Sequence, residues 1–163
     1  MVEVAKRHNL LVVVDNTFAS PWGCQPLSMG ADLVIHSTTK YLGGHSDLLG
    51  GAVVGSKELI SKIFMGRVHF GGAPDPHNCY LLERGMRTLH ARMPILTSNS
   101  AELARRLQDH PNVVRVQHVT LPSHSEYEIA QRVVPKGCGM LGIVVSGGDE
   151  GAMEFMSKLK LFY

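Results

Sequence analysis

The sequence predicts an α/β fold, and two observations carry the prediction. Residues 10–14 are an unbroken apolar run, and 31–37 and 49–54 read as two further strands, each as long as a single strand and each followed by a loop. After Pro76 the spacing becomes helical, with Tyr80, Leu81, Leu82, Gly85, Met86 and Leu89 on one broad face. Apolar runs without alternation suit strands buried on both faces, so a mostly parallel sheet is expected.

Each element has its own justification. Residues 1–8 have the apolar spacing of a helix end, at Val2 and Ala5 with Lys6 and Arg7 between turns. Residues 10–14 (Leu-Leu-Val-Val-Val) follow Asn9 and are closed by Asp15. Residues 16–29 contain Pro21, Gly23 and Pro26 and read as a loop with a short turn. The run 31–37 is the second strand, and 49–54 is a third, weakened by its glycines. A helix is expected over 57–65 and a breaker cluster over 71–76. The helix that starts at Pro76 should kink or end at Pro94. A further helix runs from Ser98 or Ser100 to Asp109, where Pro111 stops it. Strands are expected at 113–119 and 138–146, and an amphipathic run at 152–162. Met140, Met153 and Met156 read as core fillers. The compositional shift near Pro94 marks a domain boundary, giving domains 1–94 and 95–163. The opening helix end and the uncapped final run predict a piece of a longer protein.

Composition limits the function. Sixteen Lys and Arg against fourteen Asp and Glu leave a charge of +2, with 44% hydrophobic and 18% charged residues. That composition excludes disorder and collagen, and its balance gives no basic face for nucleic acid. No run approaches the roughly 18 apolar residues of a bilayer span, and none suits a secretory leader. Three cysteines, Cys24, Cys79 and Cys138, form neither a zinc pattern nor a disulfide framework, which points to a reducing, cytoplasmic setting. Nine histidines fit no metal-binding spacing, so no metal is expected.

Chemistry is expected at the strand ends. The run 31–37 delivers Ser37, Thr38, Thr39 and Lys40 at its C-terminal end, where open α/β sheets bind ligands. Hydroxyls, glycine amides and an ammonium suit a phosphate, although a solvated polar turn would have the same composition. Asp15 closes the first run. Thr17 or Asn16 can satisfy it as a local turn, or it can face a cation. If Asp15 and Lys40 come from neighbouring parallel strands, one ligand can meet a carboxylate, hydroxyls and an amine. A pyridinium cofactor bearing an aldehyde and a phosphate needs that set.

Several long, colinear motifs support this reading: Val14-Asp-Asn-Thr-Phe-Ala-Ser-Pro21, Pro26-Leu-Ser-Met-Gly-Ala-Asp32 and His36-Ser-Thr-Thr-Lys-Tyr-Leu-Gly-Gly-His-Ser-Asp47. Two more follow, Asp75-Pro-His-Asn-Cys-Tyr-Leu-Leu-Glu-Arg-Gly-Met-Arg-Thr-Leu-His-Ala-Arg92 and Leu121-Pro-Ser-His124. Together they resemble the trans-sulfuration (Cys/Met metabolism) family of pyridoxal-phosphate enzymes. The resemblance implies part of a fold type I, aspartate-aminotransferase-like domain. Residues 1–94 would be the C-terminal half of the cofactor domain, and 95–163 the beginning of a smaller α+β C-terminal domain. It implies pyridoxal 5'-phosphate as cofactor, with Lys40 as the Schiff-base lysine. Asp15 would be the partner of the ring nitrogen, Ser37 and Thr39 would bind the phosphate, and Thr17 would lie near the ring. The activity implied first is a cystathionine γ-lyase releasing cysteine, 2-oxobutanoate and ammonia. A γ-synthase or methionine γ-lyase of the same family is the alternative, as is a catalytically incompetent truncated piece. The implied partners are a small sulfur amino acid and further copies in a homotetramer, with no nucleic acid and no membrane. His118-Val-Thr120 departs from the family's Tyr-Pro-Gly.

Overall fold

A computed structural model describes residues 1–161. The chain divides into two compact units, Met1–Pro94 and Ile95–Tyr163. In the first, helix α1 (Val2–Arg7) leads to strand β1 (Val13–Asp15), a short helix α2 (Ser20–Gly23) and a tight turn Pro26–Met29. Strand β2 (Leu33–Ser37), a wide turn Thr38–Leu42 and strand β3 (Gly51–Gly55) follow. Helices α3 (Lys57–Phe70) and α4 (Pro76–Met86) come next, and α5 (Leu89–Gln108) runs on past Pro94.

The sheet has the order β1-β2-β3. β1 and β2 are parallel, with Asp15 opposite Ile35, whereas β3 runs antiparallel to β2, with Gly51 opposite Ser37. β2 is central, and Leu33, Val34 and His36 on it are buried. β1 differs from expectation. It is shorter than the apolar run, and Leu10, Leu11 and Val13 are at least half exposed. Burial on both faces requires cover and neighbours, and among the described residues β1 pairs with β2 alone.

The helices have recognisable starts and one unexpected break. Ser56 caps α3 by accepting from the Leu59 amide at 3.3 Å. Asp75 caps α4, accepting from the His77 and Asn78 amides, with Pro76 at the first helical position. α3 extends beyond the expected 57–65 to Phe70, through Gly66. Of the apolar face expected on α4, Gly85 is buried while Tyr80 and Met86 are exposed. Pro94 does not end a helix; the chain breaks earlier, at Arg87 and Thr88. Pro94 lies near the start of a 20-residue helix, so it removes one hydrogen bond from an element that keeps its others.

The second unit pairs β4 (Val113–Gln117) with β5 (Gly142–Val145), antiparallel and with a register shift between Val113 and Arg115. Ala104 of α5, Val116 of β4 and Leu121 form its core, joined by Leu107, Val113, Leu141 and Ile143. Helices α6 (Tyr127–Val133) and α7 (Gly148–Ser157) complete it. α6 was not expected, and the run 152–162 reaches Phe162, outside the described residues. Met140, Met153 and Met156 are exposed instead of filling the core.

His118 is buried in this unit by a polar knot. Its Nδ1 lies 2.7 Å from Thr120 Oγ1, and its Nε2 lies 3.2 Å from both Ser100 Oγ and the Cys138 carbonyl. Ser100 Oγ also donates to the Cys138 carbonyl at 2.6 Å. Burial holds the imidazole below its ordinary pKa, opposed by the bond to Cys138 and assisted by nearby His124.

Candidate cofactor site

The parallel ladder places the ends of β1 and β2 side by side and continues one residue further, with the Asn16 amide donating to the Ile35 carbonyl at 2.9 Å. Asn16 is buried, and its Nδ2 donates to the Ser20 carbonyl at 3.1 Å and the Cys24 carbonyl at 2.9 Å. Both amide protons therefore hold the loop that leaves β1. That loop contains Ser20, fully buried at φ 59°, a conformation few non-glycine residues adopt.

Asp15 ends β1 and is exposed. The local turn anticipated from the sequence is present: the Thr17 amide donates to Asp15 Oδ1 at 3.0 Å. Hydrogen bonds from Thr17, through side chain and backbone, hold this carboxyl below its usual range, and the neighbouring His36 lowers it further. Thr17 Oγ1 in turn accepts from the Ser37 amide at 2.8 Å. His36 is buried with Nδ1 unpartnered, and desolvation keeps it below the ordinary imidazole pKa.

The Thr38–Leu42 turn is pinned on both sides. The Thr38 amide donates to the Gly50 carbonyl at 2.9 Å, and the Gly50 amide donates to Thr39 Oγ1 at 3.1 Å. The Gly43 amide closes the turn onto the Thr38 carbonyl at 2.9 Å, and the Gly44 amide reaches the Lys40 carbonyl at 2.8 Å. Lys40 itself departs from helical dihedrals, at φ −88° and ψ −126°. Its side chain is exposed and makes no hydrogen bond or ion pair with the described residues.

Four residues singled out from the sequence thus lie on two adjacent strand ends and the turn after them: Asp15, then Ser37, Thr39 and Lys40. The donor set fits a phosphorylated pyridine aldehyde. An exposed amine without a hydrogen-bond or ion-pair partner among the described residues lies on the turn after β2, an exposed carboxylate ends β1, and the hydroxyls of Ser37 and Thr39 lie on the segment that leads to the amine. Sequence reasoning missed Arg92, whose guanidinium donates to the Tyr41 carbonyl at 3.0 Å and to the Gly85 carbonyl at 2.9 Å. Tyr41 is 51 residues away along the chain, so no local pattern signals the contact. In the second unit, an open depression of about 220 Å³ is lined by Gln108, Val113, Val114, Arg115, Val116 and Ser123. It contains no paired acid and base and no activated nucleophile, so it is not the candidate site. Among the described residues, no cluster of three or more His, Cys, Asp or Glu can hold a metal.

The chain is similar to known proteins along nearly its whole length. A probable cystathionine γ-synthase of Herpetosiphon aurantiacus is 42% identical over 162 residues, which cover 99% of this chain and 51% of that protein. The crystal structure of cystathionine γ-synthase from Xanthomonas oryzae pv. oryzae in complex with cystathionine superposes with a TM-score of 0.95 at 38% identity. The match covers 99% of this chain and 42% of that one. A cystathionine γ-lyase from Lactobacillus plantarum, complexed with L-serine, gives a TM-score of 0.87 at 36% identity, over 90% of this chain and 39% of that one. The chain spans about half the length of the first relative and less of the two solved structures. The family described as "Cys/Met metabolism PLP-dependent enzyme" matches residues 1–163, and this chain belongs to it.

Proposed function

We propose that the protein to which this chain belongs performs carbon–sulfur chemistry at the γ-carbon of cystathionine, with Lys40 as the covalent attachment point of pyridoxal 5'-phosphate. The observation that carries the proposal is the parallel register of β1 and β2, which sets Asp15 beside the strand end that leads to the unpartnered Lys40 amine. When bound, the cofactor supplies an aldehyde for that amine and a pyridine ring that withdraws electrons from the substrate. Asp15 would hold the ring nitrogen protonated, since its depressed pKa keeps the carboxylate ionised throughout the neutral range. Ser37 and Thr39 would donate to the phosphate, and Thr17 keeps Asp15 and the Ser37 amide in register. With the cofactor and an amino substrate in place, the Lys40 Nζ would be the group that carries protons to and from the substrate's α-carbon and its neighbours.

Residues 1–94 would then form the C-terminal half of the cofactor domain, and 95–163 the start of the C-terminal domain, in a homo-oligomer acting on a small sulfur amino acid in the cytoplasm. γ-Elimination from cystathionine and γ-replacement that forms it are different reactions, and both would draw on the same residues. The relative and the X. oryzae structure are named as γ-synthases, which supports formation of cystathionine over the γ-lyase direction expected first. Borohydride reduction followed by peptide mapping tests the site: the cofactor should be fixed on Lys40, and attachment at another lysine overturns the assignment. Supplying either cystathionine alone, or cysteine with an amino acid bearing a γ-leaving group, separates the directions. Release of 2-oxobutanoate from the first alone marks a lyase, and appearance of cystathionine from the second marks a synthase.

A further inference from the structure

The turn carrying Lys40 is fastened by a side chain that the proposed chemistry does not use. Arg92, on the first turn of α5, directs three N–H groups at neutral acceptors. Nη1 donates to the Tyr41 carbonyl at 3.0 Å, Nη2 to the Gly85 carbonyl at 2.9 Å and Nε to Thr88 Oγ1 at 3.0 Å. No ion pair to Arg92 is formed among the described residues. A cationic donor strengthens hydrogen bonds to carbonyls, and the planar fork fixes the two acceptors relative to each other.

The two carbonyls belong to segments that touch. Tyr41 follows Lys40, and Gly85 of α4 lies against Gly43 in the same turn, where a Cβ on Gly85 would stand 2.2 Å from the Gly43 carbonyl oxygen. Gly44 sits directly under the guanidinium, since a Cβ there would meet Nη1 at 2.1 Å, and its φ of +76° also favours glycine. One side chain therefore spans the seam between α4 and the Lys40 turn, with a glycine on each side permitting the approach.

We infer that Arg92 is a positioning residue for Lys40: its fork holds the Tyr41 carbonyl against α4 and thereby fixes the backbone from which the lysine projects. The inference rests on the proposed role of Lys40, but the clamp has a readout of its own. Amide hydrogen exchange is followed at Gly43 and Gly44, which close the turn, and at Val34 and His36 of β2, in the holoenzyme and its variants. Arg92→Lys keeps the charge and removes the fork, while Thr88→Val removes the acceptor of Nε together with the hydroxyl that donates to the Gly85 carbonyl. Arg92→Lys should raise exchange at Gly43 and Gly44 by about tenfold, the loss of one charge-assisted bond, and leave β2 unchanged. It should also lower kcat more than it raises KM, and Thr88→Val should give the same pattern more weakly. Unchanged exchange at Gly43 and Gly44, or an equal rise throughout the first unit, overturns the inference. Borohydride attachment away from Lys40 overturns the lysine assignment instead, because exchange reports the clamp whatever the lysine does.

Discussion

Replacing Gly85 by alanine tests how closely α4 and the lysine turn are fitted together. The added methyl would lie 2.2 Å from the Gly43 carbonyl oxygen and 2.9 Å from its carbonyl carbon, whereas ordinary contact begins at 3.4 Å. Both obstructing atoms are backbone, so no side chain can rotate away, and helix or turn must yield by about 1 Å. Overpacking of this kind costs about 1–3 kcal/mol. In a domain of about 150–250 residues each kcal/mol lowers Tm by about 2–4 °C. A shift of about 1 Å at a reacting group can reduce turnover roughly a hundredfold. Thermal melting and steady-state turnover of the holoenzyme measure both effects. Gly66→Ala in α3 is the matched control, since nothing lies within 4 Å of its added carbon. It should stabilise the helix by about 0.5–1 kcal/mol through propensity alone. If Gly85→Ala melts with the wild type and turns over normally, the close fit between α4 and the turn has no functional consequence and the reasoning fails.

Two further outcomes follow from buried polar groups. His36 and His118 are both held below the unfolded imidazole pKa of 6.5, chiefly by desolvation. The unfolded chain therefore binds more protons, and the stability they confer is full above pH 6.5 and is lost as pH falls through the folded values. Urea midpoints should fall between pH 7.5 and pH 5.5, and His118→Asn should flatten that dependence; an unchanged slope in the variant contradicts it. Ser100→Ala removes the hydroxyl bonded to His118 and to the Cys138 carbonyl, and should cost about 1–3 kcal/mol in a denaturant titration without altering cofactor attachment.

Strand positions were legible where local chemistry sets them. β2 follows Gly30 and its apolar run, and α4 begins at Asp75-Pro76 because the cap and the missing amide are both written in the chain. The candidate site was legible for the same reason, since Ser37, Thr39 and Lys40 are contiguous and Asp15 ends the preceding apolar run. Burial was less legible. Residues 10–14 look fully buried from composition, but exposure depends on how many strands flank them, which the run itself cannot encode. The break at Arg87 and Thr88, in place of Pro94, also escaped. Arg92, Thr88 and Gly85 meet there through contacts with residues 41–44, far away in sequence.

The Asp15–Thr17–Ser37 linkage also determines how the tips of β1 and β2 move. A side-chain oxygen takes the place of a ladder carbonyl at the last rung, so sliding one strand past the other would cost a bond that neither backbone can replace. An acid and a hydroxyl brought from separate stretches of chain thereby keep a constant spacing, like two pins on one jig. A molecule recognised by both would meet a separation that the strand tips hold, whatever the surrounding loops do.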